Sequence, residues 1–317
     1  MSKIHTAVIG VGYLGRFHAE KYAQLEDSEL VAVVDVDRDA AEEVATRYNV
    51  EALTDYRALL DRVEAVSIVV PTSFHFEIAK AFIEHGSHVL VEKPITTTVS
   101  QAEDLITLAK AHGKILQVGH LERFNAALLN LDKLRDQPVF IETHRLARFD
   151  PRGTDVSVVL DLMIHDIDII LNLVDSDLVR IDATGASILS DAVDIANTRL
   201  LFASGCVANV TASRVSMKTE RKMRLFQKNS YVSIDFQNRV LTVHRKGAGE
   251  MFPGIPNIDS EQTTFEDGDA LNTEIALFLN AIRSGGQPIV SGEDGKRALE
   301  TAIKITELLN KSPLTAP

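Results

Sequence analysis

Cysteine is almost absent from this sequence, because Cys206 is the single cysteine among 317 residues. One thiol cannot form an intrachain disulfide, which excludes the disulfide-stabilised secreted proteins and is typical of a reducing cytosol. The segment after Lys3 leads directly into a short apolar strand that ends at Gly10, and this lacks the form of a signal peptide. We therefore expect a cytoplasmic protein.

Positive charge and long apolar runs are also scarce. The 33 Lys and Arg residues are outnumbered by 45 Asp and Glu residues, which gives a formal net charge of -12. Nucleic acids and anionic membranes select basic surfaces, so neither is expected as the main partner. No apolar run approaches the roughly 20 residues that span a bilayer. Local basic groups for a phosphorylated ligand stay compatible with this charge, and no metal site is predicted.

The length and the composition describe a globular chain of two domains. Charged residues make up 25% and hydrophobic residues 45%, as in ordinary globular proteins. A chain of 317 residues exceeds the usual limit for a single hydrophobic core. The motifs place the boundary after Leu121, which gives an expected dinucleotide-binding domain over 1–121 and a substrate-binding and oligomerisation domain over 122–317.

The N-terminal segment carries the glycine spacing of a dinucleotide-binding turn. A strand over His5–Val11 runs into Gly10-Val11-Gly12-Tyr13-Leu14-Gly15, and a helix is predicted from about Tyr13 to Leu25. The first glycine permits the tight turn, the second lets the backbone approach a pyrophosphate, and the third allows the helix to pack on the strand. The helix N-terminus adds partial positive charge. The alternative is a purely structural turn.

A second predicted strand, Leu30–Val36, carries an acid near its tip. Asp35 follows the last glycine by about 20 residues, the spacing at which an acid reaches the adenosine ribose hydroxyls. Asp35 and Asp37 would repel a 2′-phosphate, which favours NAD over NADP as the cofactor. The neighbouring Arg38 keeps the alternative open, because an arginine can accept that phosphate. Val36 is a further expected cofactor contact.

Helices and strands alternate through the rest of the first half. The predicted strands are Glu51–Leu53, Ala65–Val70, Ser87–Glu92 and Lys114–Val118, and the predicted helices are Asp39–Tyr48, a short helix capped by Thr54, Ser73–His85 and Ser100–His112. This alternation is typical of a doubly wound parallel sheet. Pro71 and Thr72 end a strand at the sheet edge that carries the glycine turn, so both are candidate cofactor contacts. His75 is a third candidate, although it suits a helix start equally well.

The run Val89-Leu90-Val91-Glu92-Lys93-Pro94 reads as a buried parallel strand that ends at a proline. Ionisable residues at the C-terminal tip of such a strand face the crevice in which ligands bind. Glu92 and Lys93 are therefore candidate site residues, with Glu92 orienting Lys93 or the nicotinamide end. A solvated strand end is the alternative for this hexapeptide taken alone.

Short strands dominate after His120. The predicted strands are Pro138–Phe149, Val179–Leu189, Asn197–Phe202, Cys206–Val215, Arg221–Phe226, Tyr231–Asp235 and Val240–Arg245. Helices are predicted over Leu121–Arg135, Ala270–Ser284 and Gly292–Asn310, and the Gly- and Pro-containing segment Gly247–Thr263 is predicted to be a loop or lid. The expected fold class is α/β: an N-terminal doubly wound parallel sheet followed by an α+β domain with a large, mostly antiparallel open sheet.

One further predicted helix, around 160–172, carries a polar stripe on an apolar background. Asp161, His165, Asp168 and Asn172 fall on one face, and most other positions are Leu, Ile or Met. Buried carboxylates need partners or a ligand, and an acid one turn before His165 can orient the ring and hold its pKa near neutrality. The alternative, a solvent-facing stripe, accounts for Asp168 and Asn172 but leaves Asp161 and His165 unexplained.

The glycine turn, Glu92-Lys93-Pro94 and the pair Asp161 and His165, in that order, resemble the Gfo/Idh/MocA oxidoreductases over essentially the whole chain. The resemblance implies a Rossmann domain followed by an α/β domain whose open sheet forms a homodimer or homotetramer interface. It also implies that Lys93 and His165 flank the nicotinamide of NAD, with Asp161 supporting them.

More narrowly, Gly119–Asn125 and the run around His165 look like bacterial sugar-nucleotide 3-dehydrogenases. This implies oxidation of UDP-N-acetylglucosamine at C3 ahead of an aminotransferase, in lipid A or surface-sugar biosynthesis. Candidate substrate contacts are Arg123, Asn125, His144 and Arg148, for each of which an ordinary polar role is the alternative.

Alcohol oxidation needs a base for the hydroxyl proton, and His165 is the first candidate because imidazole titrates near neutrality. Lys93 would stabilise the developing alkoxide, although the two roles could be exchanged. Three other functions stay open: oxidation of a free polyol such as inositol, non-catalytic NAD sensing by a regulator, and hydrolysis through transient oxidation by retained NAD. The presence of Lys93, Asp161 and His165 together argues against a sensor.

Overall fold

A computed structural model describes residues 2–131, 136–150, 156–265 and 268–311. The chain forms two compact units. The first comprises Met1–Phe124 and Asp269–Leu299, and the second comprises Asn125–Gly268 and Glu300–Pro317. Within the described ranges, no helix is both long enough and apolar enough to cross a membrane.

The regular elements are fourteen strands and eight α-helices in the described residues. The strands are β1 Ile4–Ile9, β2 Ser28–Val34, β3 Glu51–Leu53, β4 Ala65–Ile68, β5 His88–Glu92, β6 Leu116–Gly119, β7 Phe140–Leu146, β8 Leu178–Ala186, β9 Ile195–Phe202, β10 Val207–Ser213, β11 Glu220–Phe226, β12 Ser230–Asp235, β13 Val240–Phe252 and β14 Ile255–Thr264. The helices are α1 Gly15–Gln24, α2 Arg38–Tyr48, α3 His75–Glu84, α4 Val99–Ala111, α5 Ala126–Leu129, α6 Ile164–Leu173, α7 Ala270–Ser284 and α8 Gly292–Asn310.

The first unit is built on a six-stranded sheet in the order β3-β2-β1-β4-β5-β6. Every neighbouring pair in this sheet is parallel. The chain order reverses between β1 and β4, and ligands of open α/β sheets bind beyond the carboxyl ends of the strands at such a reversal. The predicted doubly wound parallel sheet is confirmed.

Helix α7 completes the hydrophobic core of the first unit, although it lies far along the chain. Ile275, Phe278 and Leu279 are fully buried in one cluster with Val8 and Leu90. The carboxylate of Asp269 caps α7 by accepting from the amide of Asn272. This helix therefore brings residues near position 274 close to the parallel sheet.

The second unit is built on an eight-stranded sheet in the order β14-β13-β12-β11-β7-β10-β9-β8. Its neighbouring strands are antiparallel except for the parallel pair of β7 and β10. Helix α6 packs on β7 and β10, and its side chains Ile164, Ile167 and Ile170 are fully buried. The predicted mostly antiparallel sheet is confirmed.

Three local predictions were wrong. The predicted loop over Gly247–Thr263 is strand in β13 and β14, which pair antiparallel around a turn at Gly254 with a φ of 80°. Most of its side chains are exposed, so the sequence lacks the apolar alternation by which a strand is recognised.

The two other errors concern predicted helices. The expected helix capped by Thr54 is a short 3-10 turn over Tyr56–Leu59, and its cap is Asp55. The connecting helix expected over Leu121–Arg135 is interrupted, because Asn125 has extended backbone angles and caps the short helix α5. Residues 132–135 of that prediction lie outside the described ranges.

Candidate active site

The turn between β1 and α1 depends on its glycines in two different ways. Gly10 has a φ of 87°, and a Cβ there would lie 2.4 Å from the carbonyl oxygen of Val69. A Cβ at Gly15 would lie 1.8 Å from the carbonyl oxygen of Gly10. At Gly12, in contrast, a Cβ would meet no described atom within 4 Å. The open space at Gly12 suits the close approach of a pyrophosphate to the backbone.

Two carboxylates at the tip of β2 hold the turn and the next helix in place. Asp35 accepts from the amide of Val11 at 2.8 Å and from the amide of Asp37 at 3.0 Å. Asp37 caps α2 by accepting from the amides of Asp39 and Ala40. A carboxylate has about four lone-pair sites, so Asp35 keeps acceptor capacity for ribose hydroxyls.

A cleft of about 660 Å³ adjoins the glycine turn in the first unit. Of the predicted cofactor contacts, Gly10, Gly12, Asp35, Val36 and Pro71 line it. The sequence reasoning missed other lining residues, which follow β3 or begin α3: Thr54, Asp55, Tyr56, Arg57, Phe74 and Glu77. A largely apolar cleft with a few polar groups fits an adenosine.

We expect NADH to bind at least about tenfold more tightly than NADPH, a difference of ~1.4 kcal/mol. Asp35 lines the cleft, and Arg57, the cation there, lies 3.5 Å from Asp55 and 3.6 Å from Glu77. A 2′-phosphate would therefore meet repulsion from Asp35 and no uncompensated positive charge from Arg57. Fluorescence titration of the two reduced cofactors measures the ratio.

Two variants locate the source of this preference. Asp35→Asn should reduce the ratio of the NADPH to the NADH dissociation constant. Arg38→Ala should leave this ratio unchanged, since Arg38 is exposed and lies 3.5 Å from Glu42. Equal affinities of the native protein for both cofactors would contradict the assignment of Asp35.

Two residues near the end of β4 were predicted to contact the cofactor. Thr72 begins a short 3-10 turn, and His75 begins α3. The buried His75 ring lies between two carbonyl oxygens, with Nδ1 3.0 Å from Pro94 and Nε2 2.8 Å from Val70. Burial lowers the pKa of His75, and the carbonyl contacts oppose this shift only in part. In this position His75 joins the end of β4 to the segment that follows Lys93.

Glu92 is the last residue of β5 and Lys93 follows it directly, as predicted for a strand tip. Glu92 accepts from the backbone amide of Lys93 at 3.2 Å and lies 3.3 Å from Nε2 of the buried His18. Burial opposes ionisation of Glu92, but the His18 hydrogen bond and nearby charges outweigh burial and lower the pKa of the carboxyl. A Cβ on Gly119 would lie 2.9 Å from Glu92 Cδ, so only glycine leaves room for this carboxylate.

In the second unit, Asp161 and His165 lie at the entrance to α6. Asp161 belongs to a π-helical turn over Val159–Met163, which continues directly into α6 with His165 as its second residue. Both side chains are half-buried. Such wider turns occur often at functional sites. The other two residues of the predicted stripe differ, since Asp168 is buried and Asn172 is exposed. The four residues therefore do not form a solvent-facing stripe.

A buried ion pair anchors this helix to its sheet. Arg145 on β7 donates from Nε to Asp166 at 2.9 Å and from Nη2 to the other carboxylate oxygen at 3.0 Å. Both side chains are almost completely buried. The guanidinium fork of Arg145 is therefore engaged with Asp166.

The four predicted substrate contacts lie in different settings. Arg123 is buried and donates to the carbonyl oxygen of Ile289 at 3.1 Å, while Asn125 donates to the carbonyl oxygen of Phe236 at 3.1 Å. His144 is partly exposed on β7 with Glu142 and Glu220 nearby. Arg148 follows β7 and donates from Nε to the carbonyl oxygen of Met217 at 3.2 Å.

The sequence reasoning also missed Arg214, which fixes the approach to the π-helical turn. This buried arginine donates to the carbonyl oxygen of Val156 at 2.6 Å and lies 3.7 Å from the buried Asp194. In sequence it is an ordinary basic residue near the end of the predicted strand Cys206–Val215, and no motif marks it.

Comparison with known proteins identifies the family. Residues 4–120 match the oxidoreductase family with an NAD-binding Rossmann fold, and residues 118–231 match the C-terminal domain of the same Gfo/Idh/MocA group. The chain belongs to the Gfo/Idh/MocA family of NAD-binding oxidoreductases. The predicted family, oxidoreductase chemistry and NAD cofactor are confirmed.

Within this family the chain is 40% identical to UDP-N-acetylglucosamine 3-dehydrogenase of Acidithiobacillus ferrooxidans, over 96% of this chain and 97% of that protein. A solved structure of that dehydrogenase superposes with a TM-score of 0.92 at 36% identity and covers 100% of both chains. The chain is also 28% identical to scyllo-inositol 2-dehydrogenase (NAD(+)) of Bacillus subtilis, over 96% of this chain and 93% of that protein.

Proposed function

We propose that this chain oxidises the C3 hydroxyl of UDP-N-acetylglucosamine to a ketone in the cytoplasm, with reduction of NAD. The observation that carries the proposal is the 40% identity, over 96% of the chain, to a protein named for this reaction. Inositol dehydrogenases that match over 90% or more of the chain are only 26% to 28% identical.

The proposal assigns NAD binding to residues 1–121. Residues 122–317, of which Asp269–Leu299 belong to the first unit, are proposed to bind substrate and to associate through the open sheet into a homodimer or homotetramer. NAD is bound by the glycine turn and by the residues of the adjoining cleft. The open space at Gly12 and the remaining lone pairs of Asp35 support these assignments.

The chemistry is assigned to Lys93, His165 and Asp161. Oxidation of a secondary alcohol removes the hydroxyl proton and a hydride from carbon, and NAD, when bound, accepts the hydride. His165 takes the hydroxyl proton. The Lys93 ammonium donates a hydrogen bond to the same oxygen and stabilises its developing negative charge. Asp161, one helical turn before His165, orients the imidazole.

A nucleotide sugar adds a diphosphate, which needs a cation. Arg123 and Arg145 are both buried and bonded within the protein, so the proposal gives this role to Arg148, which is exposed. A guanidinium fork matches phosphate oxygens in geometry. Asn125 and His144 stay proposed contacts for the sugar.

The product would be a 3-keto sugar nucleotide, whose formation from an alcohol and NAD is unfavourable. A following aminotransferase would draw the reaction forward by converting the ketone to an amine. This places the enzyme in biosynthesis of an amino sugar for lipid A or another surface glycan.

Incubation of the enzyme with NAD, UDP-N-acetylglucosamine, glutamate and a sugar-nucleotide aminotransferase should yield a 3-amino sugar nucleotide, detected by mass spectrometry. We expect kcat/KM for this substrate to exceed that for inositol by at least about two orders of magnitude, because an active site built for polar groups discriminates strongly against analogues lacking them. A higher kcat/KM for inositol or free glucose than for UDP-N-acetylglucosamine would contradict the proposed substrate. It would leave the assigned fold and the proposed acid–base residues unaffected.

A further inference from the structure

A chain of buried polar side chains runs through the first unit to the tip of β5. The hydroxyl of Tyr22 lies 2.9 Å from Ser67 Oγ, and Ser67 Oγ lies 3.1 Å from Nδ1 of His18. His18 Nε2 lies 3.3 Å from Glu92, which also accepts from the amide of Lys93. Tyr22 and Ser67 are completely buried, and His18 is 2% exposed. Buried polar groups are normally hydrogen-bonded, and each side chain of this series has such a partner.

The donors and acceptors in this chain can be ordered from its charged end. A carboxylate only accepts, so Nε2 of His18 donates to Glu92. In the neutral ring Nδ1 is then an acceptor, which receives the Ser67 hydroxyl hydrogen. Ser67 in turn accepts from Tyr22, whose pKa is raised by burial so that it keeps its hydrogen. All four side chains are thereby satisfied, with the negative charge located on Glu92.

A second carboxyl, on α7, provides a comparison. Glu274 on α7 is completely buried, and neither of its oxygens has a hydrogen-bond partner among the described residues. Burial, followed by the charge of Glu92, raises the pKa of Glu274 well above its usual value. The two acids therefore differ: hydrogen-bond donors and nearby charges lower the pKa of Glu92, whereas burial raises the pKa of Glu274.

Several other groups face Glu92 and enter its titration. They are His18 on α1, His75 on α3, Glu274 on α7 and Lys93 itself. His120, which follows Gly119 on β6, is also buried near this strand edge. Among these, Lys93 is the ammonium group, and its charge favours the ionised form of Glu92. Because such coupling is reciprocal, the Glu92 charge must favour the ammonium form of Lys93 equally.

We propose that the buried His18 and the half-buried Glu92 form a positioning pair that fixes the backbone at Lys93 and holds the Lys93 side chain in its ammonium form. The inference rests on the proposed function only in one respect, namely that the Lys93 ammonium stabilises the developing charge on the substrate oxygen. His18 and Glu92 are positioning residues, since they act through Lys93.

The direct test is the titration of Lys93 in the full-length protein without substrate. Reductive methylation with ¹³C-formaldehyde labels lysines as dimethylamines that keep their charge, and the signal missing from Lys93→Arg identifies Lys93. In Glu92→Gln we expect the titration midpoint of Lys93 to fall by about 1 pH unit or more, the typical effect of losing an opposite charge at close range. His18→Asn should lower the midpoint by a smaller amount, since the carboxylate stays but loses its donor.

Glu274→Gln is the matched control, because it makes the same chemical change in a nearby buried acid whose pKa is raised by burial. It should leave the Lys93 midpoint unchanged, and circular dichroism should show all three variants folded. An unchanged midpoint in Glu92→Gln would overturn the proposal, as would an equal fall in Glu274→Gln.

The pH profile of kcat/KM gives a second readout. In Glu92→Gln, the part of the pH profile that reflects titration of Lys93 should move to lower pH. The shift should equal that of the Lys93 titration midpoint, whether the reaction uses the charged or the neutral form of Lys93. The absence of this shift would overturn the inference. A failed substrate assignment would instead show as absent turnover in the native protein, with the Lys93 titration shift intact.

Discussion

Replacing His165 with asparagine should lower kcat by roughly two orders of magnitude or more, the typical contribution of a general base. Asparagine retains a polar side chain of similar reach but cannot take a proton near neutral pH. The affinity for NADH should barely change, because the proposed partner of the ring is the substrate hydroxyl. Steady-state kinetics and fluorescence titration of NADH measure the two effects separately.

The matched control for this variant lies on the same helix. Asn172→Ala alters the exposed end of α6 and should retain nearly native kcat. Near-native turnover by His165→Asn, with normal folding and cofactor binding, would place the base elsewhere and make Lys93 the first alternative.

Breaking the ion pair between Arg145 and Asp166 should destabilise the protein by about 3–5 kcal/mol. Both groups are almost completely buried and share two hydrogen bonds of 2.9 Å and 3.0 Å. Arg145→Met leaves the Asp166 carboxylate in the interior without this partner, which is unfavourable in a medium of low polarity. The shift of the urea unfolding midpoint, followed by circular dichroism, measures the loss.

Two further variants test whether burial is the cause. Arg224→Ala removes an exposed partner of Glu142 at 3.1 Å, and such surface pairs contribute at most about 1 kcal/mol. Arg145→Met combined with Asp166→Leu should recover much of the lost stability, because no unpaired charge is left inside. If Arg145→Met and Arg224→Ala had equal small effects, the buried pair would not anchor α6.

The elements that could be predicted from sequence are those in which local pattern and burial agree. The glycine turn, the apolar strand before Glu92 and the amphipathic helices α7 and α8 each combine a periodic apolar pattern with a recognisable boundary. The segment Gly247–Thr263 failed because its strand pairing buries few side chains, which leaves only Gly and Pro as signals.

The candidate site was predictable where a residue's position in a motif determines its surroundings. The catalytic roles of Lys93 and His165 were predicted in this way and stay predictions. The surroundings of His18 and Glu274 could not be predicted, since both are buried by tertiary packing and neither stands in a sequence pattern that reports burial. Asp35 shows the intermediate case: its place at the strand tip was predictable, but its bonds to Val11 and Asp37 were not.

The most direct test of the proposed reaction follows the hydrogen on C3 of the substrate. UDP-N-acetylglucosamine carrying deuterium at C3 is mixed with NAD and an excess of enzyme, so that one turnover suffices despite an unfavourable equilibrium. Mass spectrometry should find one deuterium in the reduced cofactor and a 3-keto sugar nucleotide that has lost it. Deuterium that stays on the sugar nucleotide, with no labelled NADH formed, would contradict the account.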